Sequence, residues 1–461
     1  MTWKMEDKFN YSSEEKQINK VLAFQEQELY AIKIDEDQLV NSISSTEELL
    51  ISLGYSKNIK EIKTKQSKQN TTKTELIVPS WEELCSEANR IINKDCSLNS
   101  LFSQQELLNN EDYILKLNEE YNNIHKLDSL DITICATAGI LAGIIDILLI
   151  GIPGPTKDGL KAGPLANYIR EYFEKVFPPE KMEKLGQKKE YKTPYDAQDN
   201  RNTKIHVEGL STFYHRLLQL GHDPLLGFII GVMDIMNGRM TTIDKSGKIV
   251  SQVMDYAKDR KETNIFKAFI KQLRHLKSDI TTPMGLPVPF MALFNLLQIG
   301  KFGDEEQTIA EIVQGMYYEG YDFIHFCSMS IPVMFIEVIV RVGYCLKRMN
   351  EGYSLKDSIP YTLNRDKRPK LATMLFIAHS ASAAINTGKV YFARNPMAIN
   401  YPQWLAFGKY SYQQLKWSLF QKPEYRHLYV MNKLYEEQKI IYDSIDDFFQ
   451  EFSKDYIVTF N

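Results

Sequence analysis

The sequence predicts a mainly α protein, a multi-helix bundle with a polar N-terminal helical region and little β structure. Apolar residues recur at helical spacing along most of the chain, few segments alternate with period two, and several apolar runs of helix length are separated by polar loops.

Residues 1–54 read as an acidic helical segment, with Leu39, Leu49, Leu50 and Leu53 at helical spacing. From Tyr55 to Thr74 the chain is rich in Lys, Asn, Gln and Thr and has almost nothing to bury. Such a stretch does not offset its own ordering entropy, so residues 55–78 are expected to form a linker. Pro79-Ser80-Trp81-Glu82-Glu83 then starts a helix, with Ser80 as N-cap and Glu83 as its capping-box partner. Amphipathic helices fill the rest of residues 79–130. Residues 131–350 are an apolar helical core that contains the candidate site. Its segments are Ile132 to Ile152, Leu210 to Met236, Pro287 to Ile299 and Phe323 to Leu346, with a polar loop from about Pro178 to Lys204. Residues 351–461 form a C-terminal helical region. It includes the apolar run Leu371 to Ile385, an aromatic stretch from Tyr401, and an acidic helix near Asp443 to Phe452.

A chain of 461 residues is expected to hold two or three domains. Its 44% hydrophobic and 25% charged residues suit a globular core. The net charge of -4 provides no broad basic field, so nucleic acid is not an expected partner. Five cysteines without a CxxC spacing point to a reducing compartment and no disulfide framework. Met1 to Gln25 lacks the apolar stretch of a secretory signal. The abundance of Lys, Asn and Ile fits an AT-rich bacterial genome.

Ile132 to Ile152 is long enough to cross about 30 Å of hydrocarbon. Asp146 within it is costly in lipid unless it faces a protein interior. Gly139, Ala142 and Gly143 allow close helix approach in either setting. The remaining apolar runs are shorter or carry His215, His222, Glu337 and Arg341. A buried helical core explains these runs as well as lipid does. The expected location is the cytoplasm, with association with or insertion in the inner membrane as the alternative.

Several of the eight histidines lie in apolar surroundings where packing does not need them. His215 and His222 are seven residues apart, close to two turns, so a continuous helix would put both on one face. Gly221 and Pro224 weaken that continuity. His275 and Asp279 are one turn apart, the spacing by which a helix offers two ligands to one ion. Asp146 is a fifth candidate. Imidazole and carboxylate are the common ligands of zinc and related ions. Each residue also has a structural reading. A lone histidine is usually a hydrogen-bonded core group. Asp223 and Pro224 could start a helix as N-cap and N1. Asp146 could pair with Arg216 or Arg239. Clustering within one stretch adds weight to the functional reading.

The same elements resemble the membrane-bound, metal-dependent hydrolase family regulated by the SOS repressor. That family has a Gly-rich apolar helix ending in Pro-Asp, then His-Arg-Gly-x-Thr-His-Ser, then a helix with His and Asp before Thr-Pro-x-Gly. This chain reads AGILAGIIDILLIG, HRLLQLGHDPLLGFIIG and HLKSDITTPMGLPVPF in that order. His275, Asp279, Thr282, Pro283, Gly285 and Pro287 fall into place. Ile145 stands where the family has proline, and Leu148 where it has the second acid. His215 and Arg216 are further from His222 than in the family, and Asp223 replaces its serine. The resemblance covers about a third of the chain. It implies metal binding by His215, His222, His275, Asp279 and Asp146.

The expectation is a metal-dependent hydrolase of a phosphoester or lipid-like small molecule, using a divalent Zn, Mn or Mg ion. Asp223 would serve as general base or bridging ligand, and Arg216 would steady substrate charge. The alternative is a non-enzymatic helical protein of a bacterial mobile element or phage-related locus, acting in defence, assembly or membrane association. Among secondary features, Glu319, Asp322 and His325 read as a locally paired edge, Glu337 and Arg341 as a buried ion pair, and His379 and Asn386 as close helix packing. The chain has no GxSxG, GxGxxG or HExxH.

Overall fold

The computed structural model describes residues 11–66, 74–94, 96, 102, 104–156 and 159–460. Helix dominates, as the periodicity predicts. The chain divides into two compact units, residues 1–123 with 422–461, and residues 124–421.

The first unit opens with α1 (Ser13–Ser52), α2 (Ser56–Gln66), β1 (Thr74–Val78), α3 (Trp81–Ile91) and α4 (Gln104–His125). Ser12 and Glu15 close a capping box at the start of α1, and Ser80 with Glu83 close the expected one on α3. The stretch read as a linker is partly regular in structure. Its residues 56–66 are helical and Thr74–Val78 is a strand, while 67–73 lie outside the described residues. Lys63 pairs with Glu47 at 2.7 Å, holding α2 beside α1. A tertiary hairpin therefore supplies what the composition of the stretch lacks.

The second unit begins at α5 (Ser129–Ile145), which runs into a wider π turn over Asp146–Ile150. A short hairpin, β2 (Gly154–Thr156) with β3 (Gly159–Lys161), leads to α6 (Pro164–Val176) and α7 (Pro179–Gly186). Then come α8 (His215–Leu218), α9 (Ile230–Asn237), the antiparallel hairpin β4 (Arg239–Ile243) and β5 (Ile249–Val253), and α10 (Ile265–Asp279). The unit ends with α11 (Ile309–Tyr318), α12 (Phe323–Asn350), α13 (Leu355–Ser358), α14 (Leu371–Ala393) and α15 (Tyr401–Lys416). The chain then returns to the first unit through α16 (Lys422–Asp455) and β6 (Tyr456–Phe460), which pairs in parallel with β1.

Among the described residues the second unit holds four buried hydrophobic clusters. One joins α5, α12, α14 and α15 through Cys135, Ala138, Ile336, Leu375 and Tyr410. Small residues set its spacing. A Cβ on Gly139 would lie 2.4 Å from the Ala378 carbonyl, and one on Gly143 would lie 2.7 Å from Ile385. A second core packs Tyr195, Ile235, Met240, Val250 and Ala268 between the loop before α8, the β4–β5 hairpin and α10. This second core positions the candidate site.

Candidate metal centre

Three chain segments meet at the site. The polar loop between α7 and α8 supplies Tyr195 and Asp196. His215 opens α8, which lasts a single turn. At Gln219 the backbone turns extended, and Gln219 bridges to Thr242 of β4. A 3₁₀ turn, Leu220–His222, follows. His215 and His222 are thus not on one continuous helix, as the sevenfold spacing suggested; a break at Gln219 brings them together. The last turn of α10 supplies His275 and Asp279 on one face, as their spacing requires.

The ligand atoms converge. Nε2 of His222 lies 3.1 Å from Nε2 of His275. Oδ2 of Asp279 is 3.5 Å from each of these nitrogens. Oδ1 of Asp196 is 3.8 Å from Nε2 of His222 and 3.8 Å from Nε2 of His215. A tetrahedral ion with bonds of about 2.0–2.1 Å needs ligand atoms roughly 3.3–3.4 Å apart. The triangle of His222, His275 and Asp279 is close to that size. All four of these histidine and Asp279 side chains are buried, and Asp196 is half-buried.

Hydrogen bonds fix which nitrogens face the cluster. Nδ1 of His275 donates to the Tyr191 carbonyl at 2.8 Å, and Nδ1 of His215 donates to the Thr212 carbonyl at 3.0 Å. A carbonyl only accepts, so Nδ1 carries the proton in each ring and Nε2 is the nitrogen turned to the centre. Nδ1 of His222 and Oδ2 of Asp279 have no hydrogen-bond partner among the protein groups despite their burial. A buried carboxylate oxygen left unpartnered is costly, and a cation would satisfy it. Burial pushes the His222 imidazole well below its ordinary range, and His275, His215 and Arg216 add to the shift. Burial also lowers His215, against the pull of Asp196. Burial works to raise Asp196, but His275, His215, Arg216 and Arg260 outweigh it and hold the carboxyl below its usual value. A His222 imidazole held neutral beside an ionised Asp196 suits a metal-ligand set.

A supporting layer surrounds these groups. The Tyr195 ring meets His222 and His275 edge-on, with centroids at 5.2 and 5.3 Å. Its hydroxyl donates to Oε1 of Gln272 at 2.5 Å, and Nε2 of Gln272 donates to the Gly221 carbonyl at 2.7 Å. Gly221 is required here, since a Cβ would sit 2.5 Å from the Tyr195 ring. Arg216 donates to Oδ1 of Asp279 at 3.2 Å and to the carbonyls of Pro283 and Gly285 at 3.0 and 3.4 Å. It therefore latches the Thr-Pro-Met-Gly turn to the ligand. Met284 and Gly285 both adopt positive φ in that turn, and Tyr317 donates to their carbonyls.

Four of the five expected ligands come together. Asp146 does not belong with them. It sits at the start of the π turn after α5, accepting from Asn386 at 2.9 Å and Asn400 at 2.7 Å, with Lys389 at 3.2 Å. Its partner is thus neither Arg216 nor Arg239. Asp223 is also reassigned. One oxygen accepts from the backbone N–H groups of Leu225 and Leu226, and the other from that of Phe290 at 2.5 Å. Both oxygens are committed to holding the turn, so Asp223 is a cap and no longer a candidate base. Asp196 is the acid that sequence reasoning missed. It lies in an aperiodic loop, and nothing in YDAQDN marks one aspartate over the other.

Several of the secondary residues pair within the protein. Asp322 caps α12 through the His325 N–H and pairs with Arg170 at 2.8 Å. Glu337 and Arg341 pair at 2.8 Å. His379 packs against Tyr410 and Gln403, and Asn386 binds Asp146.

The fold and site together define a mainly α protein with a buried His/Asp cluster of metal-ligand geometry. No family model matches the chain, and no curated protein or solved structure shows significant similarity to it.

Proposed function

We propose that the chain is a metal-dependent hydrolase whose ion is held by His222, His275 and Asp279, with Asp196 and His215 completing the set. The observation that carries this reading is the buried, unpartnered Oδ2 of Asp279, equidistant from two imidazole Nε2 atoms. A mixed imidazole and carboxylate set suits zinc or manganese better than magnesium, which prefers oxygen ligands. A divalent ion bound there supplies a Lewis acid and a water of lowered pKa.

The protein groups have separate tasks. The ring of Tyr195 and the body of α10 exclude bulk water from the imidazoles. Arg216 orients Asp279 through Oδ1, which takes the place of the substrate-steadying role expected for it. Asp196 is the most exposed ligand of the cluster, so the open side of the ion would lie beside it. The resemblance to the membrane-bound hydrolases supports a phosphoester or lipid-like substrate. Two helical stretches, within Gln105–Ile150 and over Phe323–Asn350, are long and apolar enough to cross a membrane by length and composition. They support placing the second unit at or in the inner membrane.

Metal analysis of protein purified without chelator tests the proposal. About one ion per chain is expected, lost in His275→Ala/Asp279→Ala. Metal-free wild-type protein that also takes up no zinc or manganese overturns it and leaves the buried cluster structural, as in a non-enzymatic helical protein.

A further inference from the structure

The long helix α1 buries only Asn19, Val21 and Ala23, near its start, where α3 packs against it. The next 29 residues to Ser52 run for about 43 Å at 1.5 Å per residue. From Leu22 to the C-cap Leu53 an apolar stripe follows heptad spacing. Leu22, Leu29, Ile43 and Leu50 fall on one heptad position, with Glu36 among them, and Ile32, Leu39 and Leu53 on the position three further on, with Gln25 and Thr46 among them. All seven apolar residues are exposed, Leu29 at 67%, Ile32 at 59% and Leu39 at 61%. No described segment of the chain covers them. A sustained a/d repeat of this kind is the signature of a helix that pairs with another helix. A lone helix of this length, left bare in water, has little tertiary stabilisation.

We propose that α1 is a dimerisation helix that pairs antiparallel with α1 of a second copy of this chain. The polar residues on the stripe select this arrangement. Glu36 occupies the first heptad position, and a parallel pair would set it against the partner's Glu36, two carboxylates in one seam. An antiparallel pair centred between Asp37 and Gln38 sets Leu22 against the partner's Leu53, Ile32 against the partner's Ile43, and Glu36 against the partner's Leu39. Charge favours the same register. The Lys63–Glu47 pair fixes α2 beside residues 44–52 of α1. That stretch lies level with residues 23–31 of the second copy, so Lys57, Lys60 and Lys65 of α2 face the partner's Glu26 and Glu28. α1 itself carries nine acidic and three basic residues, so an isologous two-fold pairing uses the lysines of each α2 to offset the acidity of the other α1.

Light scattering of the purified full chain at micromolar concentration is expected to give twice 53.4 kDa, corrected for any bound detergent. Ile32→Asp/Leu39→Asp is expected to halve that mass while metal content stays unchanged, which shows that the second unit remains folded. Leu22→Cys/Leu53→Cys is expected to form interchain disulfides in high yield, and Leu53→Cys alone is not, because the two copies of residue 53 would lie about 46 Å apart. A monomeric wild type, a dimer that survives the double aspartate variant, or ready crosslinking by Leu53→Cys alone each overturns the proposal.

Discussion

The two oxygens of Asp279 divide their work. Oδ1 is held by Arg216, and Oδ2 points unpartnered between two imidazoles. Arg216→Lys keeps a charge but loses the fork that reaches both the carboxylate and the turn carbonyls. Metal affinity is expected to fall about 10–100-fold, as when an outer-shell partner is lost, measured by competition with a chelator. Gly221→Ala forces a methyl against the Tyr195 ring. Overpacking of this kind costs about 1–3 kcal/mol, so a lower Tm and reduced metal content are expected together. Asp146→Ala acts outside the cluster. It leaves Lys389 buried without its charge partner, a loss of about 3 kcal/mol or more. Metal content should be retained in the folded fraction, checked by denaturant unfolding alongside metal analysis.

At the scale of elements, the site depends on helices that stop where they do. α8 is one turn long because the chain turns extended at Gln219 to join the β4–β5 hairpin, and this break aims His222 at His275. The hairpin is anchored in turn by α9. Asp234 accepts from the Thr241 N–H at 2.9 Å and its hydroxyl at 2.8 Å. Burial outweighs these bonds and raises the Asp234 carboxyl from 3.8 to about 6. The folded state therefore binds this proton more tightly than the unfolded state. Its contribution is fully present below about pH 4 and is lost as pH rises through about 6. Asp234→Asn is expected to flatten the stability profile across that window in pH-dependent unfolding. A profile that keeps its slope would assign the dependence to another group.

For the whole molecule, helix was legible from periodicity, and so were the caps on α3, because both are written in residues a few positions apart. The helix in the lysine-rich stretch after Tyr55 was not legible, since it pairs with α1 through Lys63 and Glu47 and buries nothing of its own. The apolar runs resolve into tightly packed helices around Gly139 and Gly143 whose outward sides remain apolar. Met334, Val338, Val342 and Leu346 of α12 are exposed. If this face meets lipid, the protein should sediment with membranes and resist alkaline carbonate. Release by carbonate into the supernatant would instead assign the face to a peripheral or protein contact.

The sequence by itself determined the helical class and the pairing of His275 with Asp279, because an α-helix repeats every 3.6 residues and a spacing of four fixes a shared face. It also singled out His215 and His222 as unusual in apolar surroundings. Only the tertiary structure decided which acids join them. Asp146 and Asp196 look alike as residues, one in an apolar helix and one in a polar loop. The break at Gln219 and the packing of Tyr195 bring the loop acid to the imidazoles, while Asn386, Asn400 and Lys389 claim the helical one. Long-range packing makes that choice, and no local pattern encodes it.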